Sequence, residues 1–255
     1  MKRLAISLVL YNNDWNEVEK LLNSIVQSDL PTDLFVVDNS PKDNSPLFQD
    51  FPNTEYFHTG KNIGYGAGHN LILQKTFASY PYHLVVNPDI YFDKEALQRI
   101  VRYMDENPEI GHLMPKVLYP DGRLQYLCKN LPRPWHLMAR RILPPALAKP
   151  WNDYYEMRYA DYDQIMDVPF LSGCFMFLRS EALQKVGVFD ERYFLYFEDV
   201  DLSRRISKHF RTVYYPKVSV YHNHKNENYR NLALFRHLLR SGILYFNQYG
   251  WRPFW

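Results

Sequence analysis

The sequence predicts a doubly wound α/β fold, a mixed but mainly parallel sheet flanked by helices and closed by a C-terminal helical extension. Three observations carry this. Short apolar runs without internal breakers recur along the first hundred residues, the pattern of strands buried on both faces. Segments of helical period separate them. Each run also stops at a polar cluster rich in Asp, Asn and Ser.

In chain order, residues 4–10 form the first such run and end in Tyr11, Asn12, Asn13 and Asp14. Asp14 with Glu17 resembles a capping box, and Trp15, Val18, Leu21, Leu22, Ile25 and Val26 follow at helical spacing. Residues 34–37 predict a second buried strand that ends in Asp38, Asn39 and Ser40. A third, 83–86, ends in Asn87, Pro88 and Asp89, before a helix with Leu97, Ile100, Val101 and Met104 on one face. Pro120, Asp121 and Gly122 predict a hairpin turn between 116–119 and 123–126. Five prolines, Trp135, Trp151 and the pair Arg140 and Arg141 mark 131–151 as a long loop or helical excursion over the surface. Residues 168–178 read as an apolar strand interrupted by Ser172 and Gly173. Ser180 is then expected to cap a short helix closed by Gly187. Helix over 198–208, strand over 212–221 and a long final helix over 229–249 complete the reading. The expected organisation is one domain over 1–225 with an amphipathic helix and aromatic tail over 226–255.

Composition narrows the function. A chain of 255 residues with 46% hydrophobic and 23% charged residues is globular, with length enough for a real core. A net charge of +2 lacks the basic excess of a nucleic-acid binder. Cys128 and Cys174 provide no disulfide framework and no CxxC pair, which points to a reducing compartment. No run approaches the roughly 18–20 apolar residues of a bilayer span, and residues 1–10 lack the length and cleavage site of a signal peptide. The expectation is a cytoplasmic protein, peripheral on the inner face of the cytoplasmic membrane. Aromatic residues reach 16%, an excess that suits a surface facing sugars or lipid headgroups. On the final helix they alternate with Arg230, Arg236, His237 and Arg240, and Trp251, Phe254 and Trp255 follow, as in a helix lying at a membrane interface.

Ligands of open parallel sheets bind at the carboxyl ends of the strands, and three polar clusters fall at such ends. An ionised Asp38 is a pure acceptor, suited to a base or ribose. Asp89 is a hard oxygen ligand suited to Mg²⁺ or Mn²⁺. Asn62 to Asn70 holds Gly64, Gly66 and Gly68. No Gly-Lys-Ser/Thr follows, and the spacing is not that of a dinucleotide fingerprint, so the segment reads as close backbone approach or a helix start. Glu198 and Asp199 directly follow Phe194, Leu195, Tyr196 and Phe197. Apolar surroundings raise a carboxylate pKa and suit a general base, whereas Asp201 pairs readily with Arg204 or Arg205 on one helix face. His222 and His224 at a strand end make a divalent-metal site with Asp89 plausible.

In order, these elements resemble the inverting GT-A-fold (Rossmann-like) glycosyltransferase family 2, which includes bacterial rhamnosyltransferases of O-antigen and polysaccharide synthesis. The matching motifs run from Ser7-Leu-Val-Leu-Tyr11-Asn12 through Val37-Asp38-Asn39-Ser40, Asn62-Ile-Gly64-Tyr-Gly66 with Asn70, Asn87-Pro88-Asp89 and Ser172-Gly173 to Phe197-Glu198-Asp199-Val-Asp201 and His222/His224. The resemblance implies that Tyr11, Asn12, Asp38, Asn62, Gly64, Gly66, Asn70, Asn87 and Gly173 hold a nucleotide-sugar donor, dTDP- or UDP-linked. It makes Asp199 the catalytic base with Glu198 beside it. It assigns Mg²⁺ or Mn²⁺ to Asp89 and His222 or His224. Asn87 replaces the first acid of the Asp-x-Asp found in many members. The implied reaction moves L-rhamnose from dTDP-L-rhamnose, with inversion, onto a lipid-linked saccharide. Competing readings are a nucleotidyltransferase and a non-catalytic sugar-nucleotide-binding scaffold. The first normally carries a glycine-rich basic loop where Tyr11 to Asp14 stands.

Overall fold

The computed structural model describes residues 4–135, 143–223 and 232–251. The main sheet has the strand order β3-β2-β1-β4-β10-β6-β11-β5, with β8 beside β11. Its first strands are β1 (Leu4–Leu10), β2 (Thr32–Asp38), β3 (Thr54–His58) and β4 (Tyr82–Val86), all parallel. The others are β5 (Ile90–Phe92), β6 (Ile110–Leu118), β8 (Met166–Asp167), β10 (Phe175–Arg179) and β11 (Arg211–His222). β10 runs antiparallel to both β4 and β6, so β6 and its parallel neighbour β11 point the same way as β1 and β4. The carboxyl ends of six strands therefore gather at one rim.

Alternation along β1 explains the layers. Leu4, Ile6, Leu8 and Leu10 pack with α1 (Trp15–Val26) and α3 (Ala96–Glu106) on one face. Ala5 and Val9 pack with Ile72 of α2 (Tyr65–Thr76) on the other. That second face continues through α5 (Ser180–Val186) and α6 (Glu198–Ile206) around Leu183, Leu202 and Ile206. Every β1 residue is buried, as its unbroken apolar run predicts. Asp14 caps α1 by accepting from the Asn16 N–H.

Several expectations are corrected. Ser180 does not cap α5: Arg179 is the N-cap, and the Ser180 hydroxyl bonds Tyr80 O and His83. The 120–122 turn forms, but its return arm is no strand, because only the Leu118–Leu124 bridge pairs it. The apolar stretch 168–178 splits at Ser172 and Gly173 into two strands of different sheets. Its first half, β9 (Phe170–Leu171), pairs β7 (Cys128–Lys129) in a two-stranded sheet, and its second half is β10. The excursion contains α4 (Pro145–Tyr155). Arg140 and Arg141 lie outside the described residues. The final helix, α7 (Leu232–Tyr249), seats Tyr245 and Phe246 against Phe197, Val200 and Phe170. The expected boundary at 225/226 falls outside the described residues.

Candidate active site

A cavity of about 1070 Å³ opens at the rim. Its lining includes Tyr65, Asn87, Gly173, Glu198, Asp199 and His222, together with Lys129, Tyr155, Phe170, Leu234, Phe235 and Leu238. Residues as far apart in the chain as Tyr65 and Leu238 thus meet because the strand ends meet.

Asp199 sits in the first turn of α6, whose N-cap Phe197 is left-handed (φ 70°), as is Tyr196 (φ 68°). Such a backbone costs on the order of 1–3 kcal/mol per residue and persists only when its surroundings hold it; here Phe197 is gripped by Tyr245 and Phe246. The turn aims Asp199 at the opposite loop, where Oδ2 accepts from the Gly173 N–H at 2.9 Å and Oδ1 from the Val200 N–H at 2.8 Å. A Cβ on residue 173 would stand 3.1 Å from Asp199 Cβ, so glycine is what permits the approach. Burial raises the Asp199 carboxyl above its ordinary range, while the Gly173 N–H, the Lys129 ammonium and the Val200 N–H pull it down. Glu198 is more deeply buried, and its Oε2 has no hydrogen-bond partner. Burial, then the neighbouring Asp199 charge, drives Glu198 well above the carboxylate range. Of the two, Asp199 carries the negative charge and Glu198 keeps its proton, because only Asp199 receives N–H groups on both oxygens.

Asn87 follows β4, with its N–H on Cys174 O and its Oδ1 3.2 Å from the Tyr65 hydroxyl, which also donates to Gly173 O at 2.8 Å. Next to it, Asp89 Oδ1 lies 3.3 Å from His222 Nε2. β11 pairs His222 with Ile90, and the Asn223 N–H bonds Asp89 O. Among the described residues no group of three or more His, Cys, Asp or Glu gathers at one point. The Asp89–His222 pair is nevertheless a fitting partial donor set. A carboxylate oxygen and an imidazole nitrogen at this spacing could together hold one divalent cation. His224 lies outside the described residues.

The other residues expected to bind the donor also bond within the protein. Asp38 is fully buried; its oxygens accept from the Ser40 N–H (2.8 Å), Asn44 Nδ2 (2.7 Å) and the Tyr56 hydroxyl (2.7 Å). Burial alone would raise its pKa, but these bonds together hold it below the ordinary range. Asp38 thus shapes the loop after β2 rather than presenting a bare carboxylate. Asn12 is left-handed (φ 52°), and its N–H bonds Ser40 Oγ, which sets it and the exposed Tyr11 beside that loop. Asn62 Oδ1 accepts from the Gly64 N–H. The close approach that Gly64 and Gly66 allow is to the protein itself: an added Cβ would meet Phe194 O at 2.7 Å and Phe189 Cβ at 3.0 Å. Asn70 is buried, and its amide bonds the Phe189 carbonyl, the Phe189 N–H and Glu191. These three therefore clamp α2 to the 189–198 segment that delivers Asp199. Tyr65, Lys129 and Gln125 went unnoticed in the sequence. Tyr65 stands inside the glycine segment, Gln125 in the return arm of the expected hairpin, and Lys129 between that arm and the 131–151 excursion.

A mainly parallel sheet flanked by helices, with a cavity at its carboxyl rim, is the architecture of GT-A glycosyltransferases. The sequence pattern described as glycosyl transferase family 2 matches residues 6–187, and the chain belongs to that family; it is a glycosyltransferase. It is 29% identical over 230 residues to the N-acetylglucosaminyl-diphospho-decaprenol L-rhamnosyltransferase of Mycobacterium tuberculosis (strain ATCC 25618 / H37Rv), covering 85% of this chain and 75% of that one. It is 26% identical to the rhamnosyltransferase WbbL of Escherichia coli (strain K12), covering 89% of each. Among solved structures, the mannosyltransferase PcManGT from Pyrobaculum calidifontis, in complex with GDP-Man and Mn²⁺, superposes with a TM-score of 0.65 at 15% identity. That match covers 96% of this chain and 64% of that one. S. aureus TarS 1-349 superposes with a TM-score of 0.60 at 20% identity, covering 86% of this chain, which spans 60% of its length.

Proposed function

We propose that this chain transfers L-rhamnose, with inversion, from a nucleoside-diphosphate donor, dTDP-L-rhamnose, to a lipid-linked saccharide acceptor in cell-surface polysaccharide synthesis. The observation that carries the reading is the placement of Asp199 in the same cavity as Asn87 and His222, a cavity also lined by Tyr155, Phe170 and Phe235. The rhamnosyltransferases among its relatives, one named for a diphospho-decaprenol acceptor, support the substrate class.

In this reading the donor lies along the rim from the 38–44 loop past Asn12 to Asn87. The acceptor enters by the wall of Lys129, Tyr155, Phe170 and Phe235. Asp199 takes the proton of the acceptor hydroxyl as its oxygen bonds the anomeric carbon. The bond to the diphosphate breaks on the opposite face, and the nucleoside diphosphate leaves. The N–H groups of Gly173 and Val200 hold the carboxylate in place, so it need not reorient to receive the proton. Asp89 and His222 would hold a divalent cation, Mn²⁺ or Mg²⁺, whose chemistry is to offset charge developing on the leaving diphosphate.

The outer face of α7 supports a peripheral membrane position. Leu232, Leu239, Ile243 and Trp251 are 71%, 46%, 51% and 53% exposed, Arg236 and Arg240 lie on the same face, and no Asp or Glu occurs from 232 to 249. None of the helices in the described residues is long and apolar enough to cross a membrane.

Asp199→Asn tests the catalytic assignment. General-base assistance is worth about 10²–10⁴-fold, so turnover should fall at least that far while donor affinity by titration calorimetry stays within a few fold. A parallel loss of donor affinity would make Asp199 a binding residue instead.

A further inference from the structure

The turn at 119–127 has no part in the chemistry described above, yet it delivers one buried side chain to the metal-side histidine. The Tyr119 N–H bonds Arg123 O, the Gly122 N–H bonds Tyr119 O, and the Gln125 N–H bonds Val117 O, which sets the Gln125 backbone against the end of β6. From there the Gln125 side chain, 4% exposed, makes two bonds to one residue 97 positions away. Its Nε2 donates to the His222 carbonyl at 2.7 Å, and its Oε1 lies 2.9 Å from His222 Nδ1.

The first bond decides the second. Only the NH₂ of an amide can approach a carbonyl oxygen at that distance, so the amide oxygen must face Nδ1, and an amide oxygen only accepts. Nδ1 therefore carries the hydrogen, and the ring nitrogen that can offer a lone pair to a cation is Nε2, which faces Asp89 Oδ1 3.3 Å away. Two acceptors brought together this way favour a shared cation between them. Outer groups that fix a ligating histidine's tautomer commonly change metal affinity by about 10–100-fold.

We propose that Gln125 is a positioning residue that holds His222 in the Nδ1–H tautomer and so prepares Nε2, with Asp89, to take a divalent cation. This rests on the cation reading given under Proposed function. Mn²⁺ titration of the full chain, followed by electron paramagnetic resonance with dTDP present, tests it without any turnover. Gln125→Leu removes the acceptor for Nδ1–H and should weaken Mn²⁺ binding at least tenfold. Gln125→Glu, with the acid proton on the oxygen that faces the His222 carbonyl, keeps both bonds and should stay within a few fold of the unsubstituted chain. Should Gln125→Leu fail to fold, long-range ¹H–¹⁵N correlation of the unsubstituted, metal-free protein decides instead, and His222 should show a protonated Nδ1 and a bare Nε2. Equal Mn²⁺ affinity in all three chains, or an Nε2–H tautomer, overturns the role of Gln125 alone. Absence of Mn²⁺ uptake by the unsubstituted chain overturns the cation reading together with it.

Discussion

Glu198 and Asp199 are adjacent carboxyl groups with opposite fates, and the difference lies in the hydrogen bonds each receives. Two N–H groups end on Asp199 and none on Glu198 Oε2. Like charges this close do not both ionise in a buried site, so the less solvated member stays protonated. A neutral carboxylic acid and an amide have nearly the same shape and no net charge. Glu198→Gln should therefore keep kcat within a few fold, in contrast to Asp199→Asn. Steady-state kinetics on the two variants checks this, and a Glu198→Gln enzyme as inactive as Asp199→Asn would show that Glu198 needs its charge.

At the scale of elements, the base depends on a stack of three helices. α2 approaches the 189–198 segment through Gly64 and Gly66 and is stitched to it by Asn70. α6 is tied to α7 through the buried Asp201, which accepts from Arg205 at 2.8 Å and from the Tyr249 hydroxyl at 2.6 Å. With its inner face committed this way, α7 presents a fixed outer face of apolar residues and arginines next to the cavity wall of Leu234, Phe235 and Leu238. Amphipathic surfaces of this kind bind through apolar burial plus attraction to anionic lipid. The protein should float with vesicles containing phosphatidylserine, less with pure phosphatidylcholine, and Arg236→Glu with Arg240→Glu should return it to the soluble fraction. Equal distribution on both vesicle types would remove the membrane reading and leave the transferase untouched.

At the scale of the whole molecule, His69, His83 and His112 are fully buried. Burial lowers His69 and His112 to about 3 and His83 to about 4. The unfolded chain binds protons at these residues below about pH 6.5, and the folded chain does not until far lower. Stability they support is thus fully present above pH 6.5 and declines as pH falls, by up to about 1.4 kcal/mol per pH unit for each histidine. Glu198, raised by burial and by Asp199, acts in the opposite sense, because folding favours its protonated form. Urea denaturation should therefore show a lower unfolding free energy at pH 5 than at pH 7.5, with a larger drop in Glu198→Gln. An unchanged or smaller drop in that variant would contradict the protonated state assigned to Glu198.

Local pattern was enough to read the strand-and-helix alternation from Leu4 to Met104, because buried parallel strands and amphipathic helices write their burial into residue period. It also marks Asp199, Asp89 and His222 or His224 as candidates, because these types stand out at element ends. What each polar group bonds to depended on partners far away in the chain. Asp38 and Asn70 stand out in sequence as polar groups, and only the fold shows that Tyr56 and Asn44 bond the first, and the Phe189 backbone and Glu191 side chain the second. Gln125 and Lys129 look like ordinary loop residues until β6, β9 and β11 bring them to the cavity. A hydrogen bond is satisfied by whichever group folding places opposite, and that choice belongs to long-range packing.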